Sequence, residues 1–279
     1  MIDLRGHTAL VTGSTQGVGA AIARCLAKAG AKLILHGLHD DKYAQDTLKQ
    51  CKEYSQESSL ICFDLSRSID EILEGFARPA IQQNPDLSIL VSNAGIYIDP
   101  PFAQVTESSF DRTMHLNVKV GYFLAQTFAK YWMKRDTPGR ILFTGSINGL
   151  LAEADHSVYD TSKGALAAMV RSLCVALAPN RIRVNSIAPG LVRTPLTNQI
   201  LSTDQAALDW MQLHTPCGQV PSADACGPMA AFLVSDLAEH IHGQTIYVDG
   251  GMSAWQQPDV PNEFRLWLHS KNQKSQPQG

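Results

Sequence analysis

Thr8-Ala9-Leu10-Val11-Thr12-Gly13-Ser14-Thr15-Gln16-Gly17-Val18-Gly19 is the stretch from which the fold is read. Its first four residues are a short apolar run of the kind that forms a buried strand. A glycine-rich turn follows, then residues 20–29, rich in helix formers and stopped by Gly30. Strand, glycine-rich turn and helix is the context in which backbone N–H groups and a helix N-terminus hold a diphosphate. The spacing is G-x-x-x-G-x-G rather than the G-x-G-x-x-G of the other dinucleotide fingerprint. A merely tight βα turn uses the same residue types, but the position ahead of a helix favours phosphate binding.

Outward from this turn, short apolar runs alternate with helix-length segments. The runs are residues 32–36, 60–63, 87–91, 140–144, 181–187 and 245–248. Together with residues 8–11 they predict a seven-stranded parallel sheet, doubly wound, with helices on both faces. Polar clusters stand at the strand ends, where open α/β sheets bind ligands. These are Gly37-Leu38-His39-Asp40, Asp64-Leu65, Ser92-Asn93-Ala94-Gly95, Gly145-Ser146 and Ala188-Pro189-Gly190. A long helix is expected from about residue 107 to 134, with Asn117 inside it. Residues 1–252 read as one domain. Residues 193–215, bounded by prolines beyond a strand end, suit a lid. Residues 253–279 read as an appended tail, polar at its end but carrying Trp255, Phe264, Leu266, Trp267 and Leu268 in its first part. That apolar content predicts docking of the first part and disorder of the end.

Tyr159-Asp160-Thr161-Ser162-Lys163 opens a run of helix formers, so Tyr159 and Lys163 share one helix face. An ammonium held near a phenol favours the phenolate, which suits a general acid–base. A surface tyrosine one turn before a surface lysine has the same spacing, and only the rest of the chain separates the two readings.

Composition sets the remaining bounds. The chain has 279 residues, 44% apolar and 18% charged, with a net charge of −3 and no block of like charge. It gives no support for nucleic-acid or anionic-membrane binding. Six cysteines, at 25, 51, 62, 174, 217 and 226, include no C-x-x-C pair. The N-terminus has mixed charges and no apolar core after them, unlike a signal peptide. No apolar run reads as long enough to cross a bilayer. A reduced, cytoplasmic protein is the expectation, and no metal site is foreseen.

Taken together, these motifs resemble the classical short-chain dehydrogenase/reductase family from about Gly6 to Gly251. Thr12-Gly13-x-x-x-Gly17-x-Gly19 resembles its cofactor motif. Asn93-Ala94-Gly95 resembles its N-N-A-G motif, with Ser92 in place of the first asparagine. Pro189-Gly190 and Thr194 resemble its P-G-x-x-x-T segment, and residues 248–251 its V-D-G-G ending. The resemblance implies a Rossmann-type fold and hydride transfer between a nicotinamide cofactor and a carbonyl or secondary alcohol. It implies catalytic roles for Asn117, Ser146, Tyr159 and Lys163. It places the cofactor against Gly13, Thr15, Gln16, Gly17, Val18, Gly19, Gly37, Leu38, Asp64, Leu65, Asn93, Ala94, Gly95, Tyr159, Lys163, Pro189, Gly190, Val192 and Thr194. In that scheme Ser146 bonds the substrate oxygen and Tyr159 moves its proton. Lys163 tunes Tyr159 and bonds the ribose, and Asn117 holds a water beside Lys163. Relatives of this kind are usually tetramers.

Cofactor choice is carried by the end of the second strand. An acidic residue there marks NAD users, and an arginine after it marks NADP users. Here the residues are Gly37 and Leu38, and the glycine loop has Gln16 where NADP users often carry a base. The stretch 36–40 is similar to the N-G-F-G-D of bacterial 3-hydroxybutyrate dehydrogenases, so the reading favours NAD over NADP. A protonated His36 or His39 remains a candidate for holding a 2′-phosphate. Glu153-Ala154-Asp155-His156 lies between Ser146 and Tyr159. Two carboxylates and a histidine there suit a sugar, polyol or sugar acid, so Glu153 and His156 join Ser146 and Tyr159 as substrate candidates. A solvated surface loop accounts for them equally well. The alternatives are a 3-oxoacyl-thioester reductase and, in another class, a non-catalytic dinucleotide-binding regulatory protein.

Overall fold

Strand β1 (Thr8–Val11) lies at the centre of one parallel sheet. Its companions are β2 (Lys32–Gly37), β3 (Ser59–Cys62), β4 (Leu87–Ser92), β5 (Gly139–Thr144), β6 (Ile182–Pro189) and β7 (Thr245–Val248). The order across the sheet is β3-β2-β1-β4-β5-β6-β7, and every pair is parallel. The chain therefore winds outward in one direction from β1 to β3, then returns and winds the other way from β4. The switch falls between β1 and β4, at the glycine-rich turn. This is a computed structural model, and it describes residues 2–98, 100–195 and 204–255.

Alternation along the strands makes two cores. Ala9, Val11, Ile89 and Val91 face one side, packed with Ile22 and Leu26 of α1 (Gly17–Lys28). Leu10 and Leu90 face the other. The second side holds Leu124, Phe128 and Trp132, and also Leu166 and Val170. β1 is buried on both faces, which is why Ala9, Leu10 and Val11 are apolar in succession, while the buried Thr8 at its start has its hydroxyl bonded to Asp86. β3 and β7 are the edge strands, and none of their residues is buried. The remaining α-helices among the described residues are α2 (Lys42–Lys52), α3 (Ile69–Ile72), α4 (Arg78–Gln83), α5 (Glu107–Met114), α6 (Val120–Lys134), α7 (Ser157–Leu177), α8 (Gln205–Leu213) and α9 (Cys226–Val234).

Two expectations are amended by the structure. The segment 107–134 is helical throughout, as expected, but a π-turn at His115–Lys119 lies within it, between α5 and α6. Such a turn inserts one residue into the helical ladder and turns the side chains beyond it to a new face. Asn117 sits in that turn and is buried. The second correction concerns span length. Residues Ser157–Asn180, with mean hydropathy 1.2, are long and apolar enough by composition to cross a membrane. In the fold that helix covers the sheet and buries Leu166, Met169 and Val170.

Of the lid segment, residues 204–213 contain α8, and residues 196–203 lie outside the described residues. Trp255 is the last described residue, its ring 6.5 Å from that of His214 just after α8. The tail reading for Phe264, Leu266, Trp267 and Leu268 also lies outside the described residues.

Candidate active site

The strand ends converge at the carboxyl edge of the sheet. Gly13 (φ +60°) and Gly17 (φ +58°) turn the loop in the left-handed region, which an L side chain rarely adopts. A Cβ on Gly19 would lie 2.2 Å from the Gly13 carbonyl oxygen, so only glycine lets the loop close on α1. Thr12 and Asn93 tie this loop to β4. Thr12 Oγ1 accepts from the N–H groups of Asn93 (2.9 Å) and Ala94 (3.0 Å). Asn93 Nδ2 donates to the carbonyls of Thr12 (3.1 Å) and Gly13 (2.9 Å). The central asparagine of the N-A-G stretch thus braces the glycine turn. The first turn of α1 carries no acidic residue, so nothing there offsets its positive end.

One cleft of about 290 Å³ brings the two halves of the sequence together. Gln16, Val18, Gly19, Asn93, Gly95, Ser146, Tyr159, Lys163, Pro189, Gly190 and Val192 all line it. Lys163 is buried, and its Nζ lies 5.4 Å from the centre of the Tyr159 ring. The same Nζ donates to the Thr144 carbonyl at 3.0 Å, which ties α7 to the end of β5. Ser146 lies at the end of β5. Its Oγ accepts from the Asn148 N–H (3.2 Å) and donates to Asn148 Oδ1 (3.3 Å). The hydroxyl therefore both caps a short 3₁₀ turn and faces the cleft.

Asn117 acts on the cleft wall through its side chain. Oδ1 accepts from the Ile96 N–H at 2.8 Å, and Nδ2 donates to the Ile96 carbonyl and to Ser162 Oγ, each at 3.0 Å. It holds the 93–98 loop against α7 and has no direct bond to Lys163 among the described residues. The π-turn aims it there; a straight helix would carry it off that face.

The polar loop before α7 is built rather than merely solvated. Asn148 Nδ2 donates to Asp160 Oδ1 (2.9 Å) and Glu153 Oε1 (3.2 Å), and the Glu153 N–H donates to Asp160 Oδ2 (3.1 Å). His156 Nε2 meets the Tyr97 hydroxyl at 2.7 Å, and the Tyr97 ring stands edge-on to Tyr159 with centres 5.4 Å apart. Glu153 and His156 do not line the cleft itself; Tyr97 does. The sequence reading passed over Tyr97, Asn148 and Asp160. Tyr97 directly follows the Asn93-Ala94-Gly95 turn by two positions, the one signal that marks it.

At the end of β2 the structure corrects one candidate. His36 is buried; its Nδ1 accepts from the Gly13 N–H (3.0 Å) and its Nε2 donates to the Phe63 carbonyl (3.0 Å). Burial pulls its pKa down to about 4, so it is neutral and cannot serve as a cation for a phosphate. Gly37 is closed off as well, since a Cβ there would lie 2.4 Å from Thr15 Cγ2. Leu38 is 56% exposed at the strand's end. Asp64 and Leu65 follow β3; the Asp64 carboxylate accepts from the Ser66 N–H, which holds its pKa below the usual range. Thr15, Gln16, Gly17 and Thr194 line a second cleft on the outer side of the glycine turn. These residues fit a dinucleotide: a cradle that a Cβ would fill, a helix N-terminus at Gly17, and a buried Thr144 hydroxyl with no partner in the wall of the cleft.

Comparison with known proteins supplies the context. The family model described as enoyl-(acyl carrier protein) reductase matches residues 13–253. The L-rhamnose 1-dehydrogenase (NADP(+)) of Thermoplasma acidophilum is 31% identical over 252 residues, covering 90% of this chain and 98% of that one. The 3-oxoacyl-(acyl-carrier-protein) reductase FabG of Rickettsia felis is 32% identical over 260 residues, covering 90% and 99%. The crystal structure of a putative gluconate dehydrogenase from Agrobacterium tumefaciens superposes with a TM-score of 0.84 at 32% identity, covering 91% of this chain and 99% of that one.

Proposed function

This chain belongs to the short-chain dehydrogenase/reductase family and is a nicotinamide-dependent oxidoreductase acting on CH–OH groups, and we propose that its substrate is a sugar, polyol or sugar acid. The observation that carries the reading is the shared cleft of Ser146, Tyr159 and Lys163 with Gly19, Asn93 and Pro189. The nicotinamide, when bound, supplies or takes the hydride. Ser146 binds the substrate oxygen through its hydroxyl. Tyr159 gives or takes the proton on that oxygen. Lys163, held by the Thr144 carbonyl, presents its ammonium to Tyr159 and to the ribose. Asn117 keeps the cleft wall in register by clamping Ile96. Gly13 to Gly19, Asn93 to Gly95, and Pro189 to Thr194 hold the cofactor.

Polar residues support the substrate class. Tyr97, His156, Glu153, Asn148 and Asp160 form a hydrogen-bonded rim beside Tyr159, and such a rim matches hydroxyl groups better than an acyl chain. The reading draws the same way from relatives named for rhamnose and gluconate. The FabG relative keeps a 3-oxoacyl-thioester reductase as the second reading. Between cofactors we favour NAD. Leu38 is apolar and His36 neutral, so neither supplies a cation for a 2′-phosphate, although relatives are named for NADP(+) and NAD(P)(+) and similar solved structures for bound NADP. The test is a panel of sugars, polyols, sugar acids and acyl thioesters, followed at the nicotinamide absorbance with each cofactor. Turnover of thioesters alone would overturn the substrate reading. No turnover by any of them, with cofactor bound, would favour a non-catalytic role.

A further inference from the structure

The proposed ligand brings a doubly negative diphosphate to the N-terminus of α1, yet the glycine turn and the first turn of that helix carry no charged side chain. The cations that line the two clefts on either side of the turn are Arg24, Lys163 and Arg193. Arg24 is paired with Asp224 at 2.5 Å. Lys163 is committed to Thr144 and faces Tyr159. Arg193 is exposed, and its guanidinium forms no ion pair within 4.0 Å among the described residues.

Its backbone is fixed. The Arg193 N–H donates to the Pro221 carbonyl (2.8 Å), and its own carbonyl accepts from the Ala223 N–H (3.2 Å). The next residue, Thr194, lies directly on the helix start, its Cγ2 3.6 Å from where a Gly17 Cβ would be. Arg193 lines one cleft with Thr15, Gln16 and Gly17, in the turn that would hold the phosphates. Gly37 and Leu38 do not line that cleft. Two carboxylates, Asp46 and Asp224, line the same cleft, and Asp224 is the one paired with Arg24.

We infer that Arg193 is the counter-charge for the cofactor's diphosphate, binding it across the N-terminus of α1. The inference rests on the dinucleotide reading above. A guanidinium beside two phosphates makes charge-assisted hydrogen bonds, and at an exposed site these are modest and screened by salt.

The test is direct binding to the full chain, with no substrate, using NADH, NADPH, ADP and AMP as probes. Arg193→Gln is expected to raise Kd for NADH, NADPH and ADP alike, by roughly 3–10-fold, and to leave AMP nearly unchanged. The gap between wild type and variant closes between about 0.05 and about 0.5 M NaCl. Arg193→Lys restores part of the loss, and Arg24→Gln, in the same cleft, leaves Kd unchanged. Because the side chain is exposed, the melting temperature of Arg193→Gln stays near wild type. Equal Kd values for wild type and Arg193→Gln would overturn the inference, and a loss confined to NADPH would overturn it in favour of a 2′-phosphate site. A wild type that bound neither dinucleotide would overturn the dinucleotide reading, and the inference with it.

Discussion

At Tyr159 the chemistry rests on one transferable proton. Tyr159→Phe keeps the ring that packs against Tyr97 and Lys163 and removes the hydroxyl. Turnover falls by at least ~10²-fold while NADH binding survives, measured by steady-state kinetics beside fluorescence titration. His36 makes a prediction of a different kind. Its pKa is about 4 in the fold and about 6.5 in an unfolded chain, so unfolding takes up a proton between those values. Its contribution is complete above about pH 6.5 and is lost as pH falls towards 4, about 3 kcal/mol in all. Urea unfolding between pH 7 and 4.5 reads this slope, and a non-titrating His36→Asn removes the slope whatever its absolute stability. Cofactor choice is testable at Leu38, which is exposed and free to change. Leu38→Arg raises kcat/KM with NADP relative to NAD by roughly tenfold. Aspartate at Gly37, the exchange the sequence suggests, meets Thr15 instead and is expected to loosen the glycine turn.

Between residue and fold, the π-turn between α5 and α6 is the element on which the site's shape depends. It delivers Asn117 to the backbone of Ile96 and to Ser162 at once. Asn117→Ala leaves the half-buried Ile96 N–H and carbonyl without their side-chain partner, a loss of about 1 kcal/mol in urea unfolding. Turnover falls with it, since that loop carries Asn93 and Tyr97. Loss of stability with unchanged kcat would show that Asn117 braces the fold but not the site. The same element explains why the sequence could be read only so far. No proline interrupts residues 107 to 134, and nothing in their propensity records the extra residue in the ladder.

For the whole molecule, we propose the homotetramer that the family resemblance suggests. Tyr122 (41% exposed), Met133 (46%) and Val175 (77%) lie on the outer faces of α6 and α7, apolar surface that association would cover. Sedimentation at micromolar concentration is expected to report four chains; a monomer counts against it. Deleting residues 255–279 tests the tail. Loss of the Trp255 ring from beside His214, which itself packs on Trp210, is expected to lower the melting temperature and to raise KM for substrate more than for cofactor. A truncated chain unchanged in stability, assembly and kinetics would leave the tail without a role.

Residue order alone determined the strand–turn–helix at 8–29, the seven parallel strands, and the joint occurrence of Ser146, Tyr159 and Lys163 with the glycine and N-A-G turns. These are local: apolar runs, glycines where the chain must turn, and a four-residue helical spacing. Only the tertiary structure decided what long-range contact controls. His36 reads as a titrating histidine until burial between Gly13 and Phe63 keeps it neutral. Gly37 reads as open until Thr15 is seen against it. Tyr97 reaches His156 across 59 positions, and Asn117 reaches Ser162 across 45. Desolvation and side-chain contact depend on which segments the sheet order brings together. That order is set by packing over the whole chain, so no window of sequence contains it.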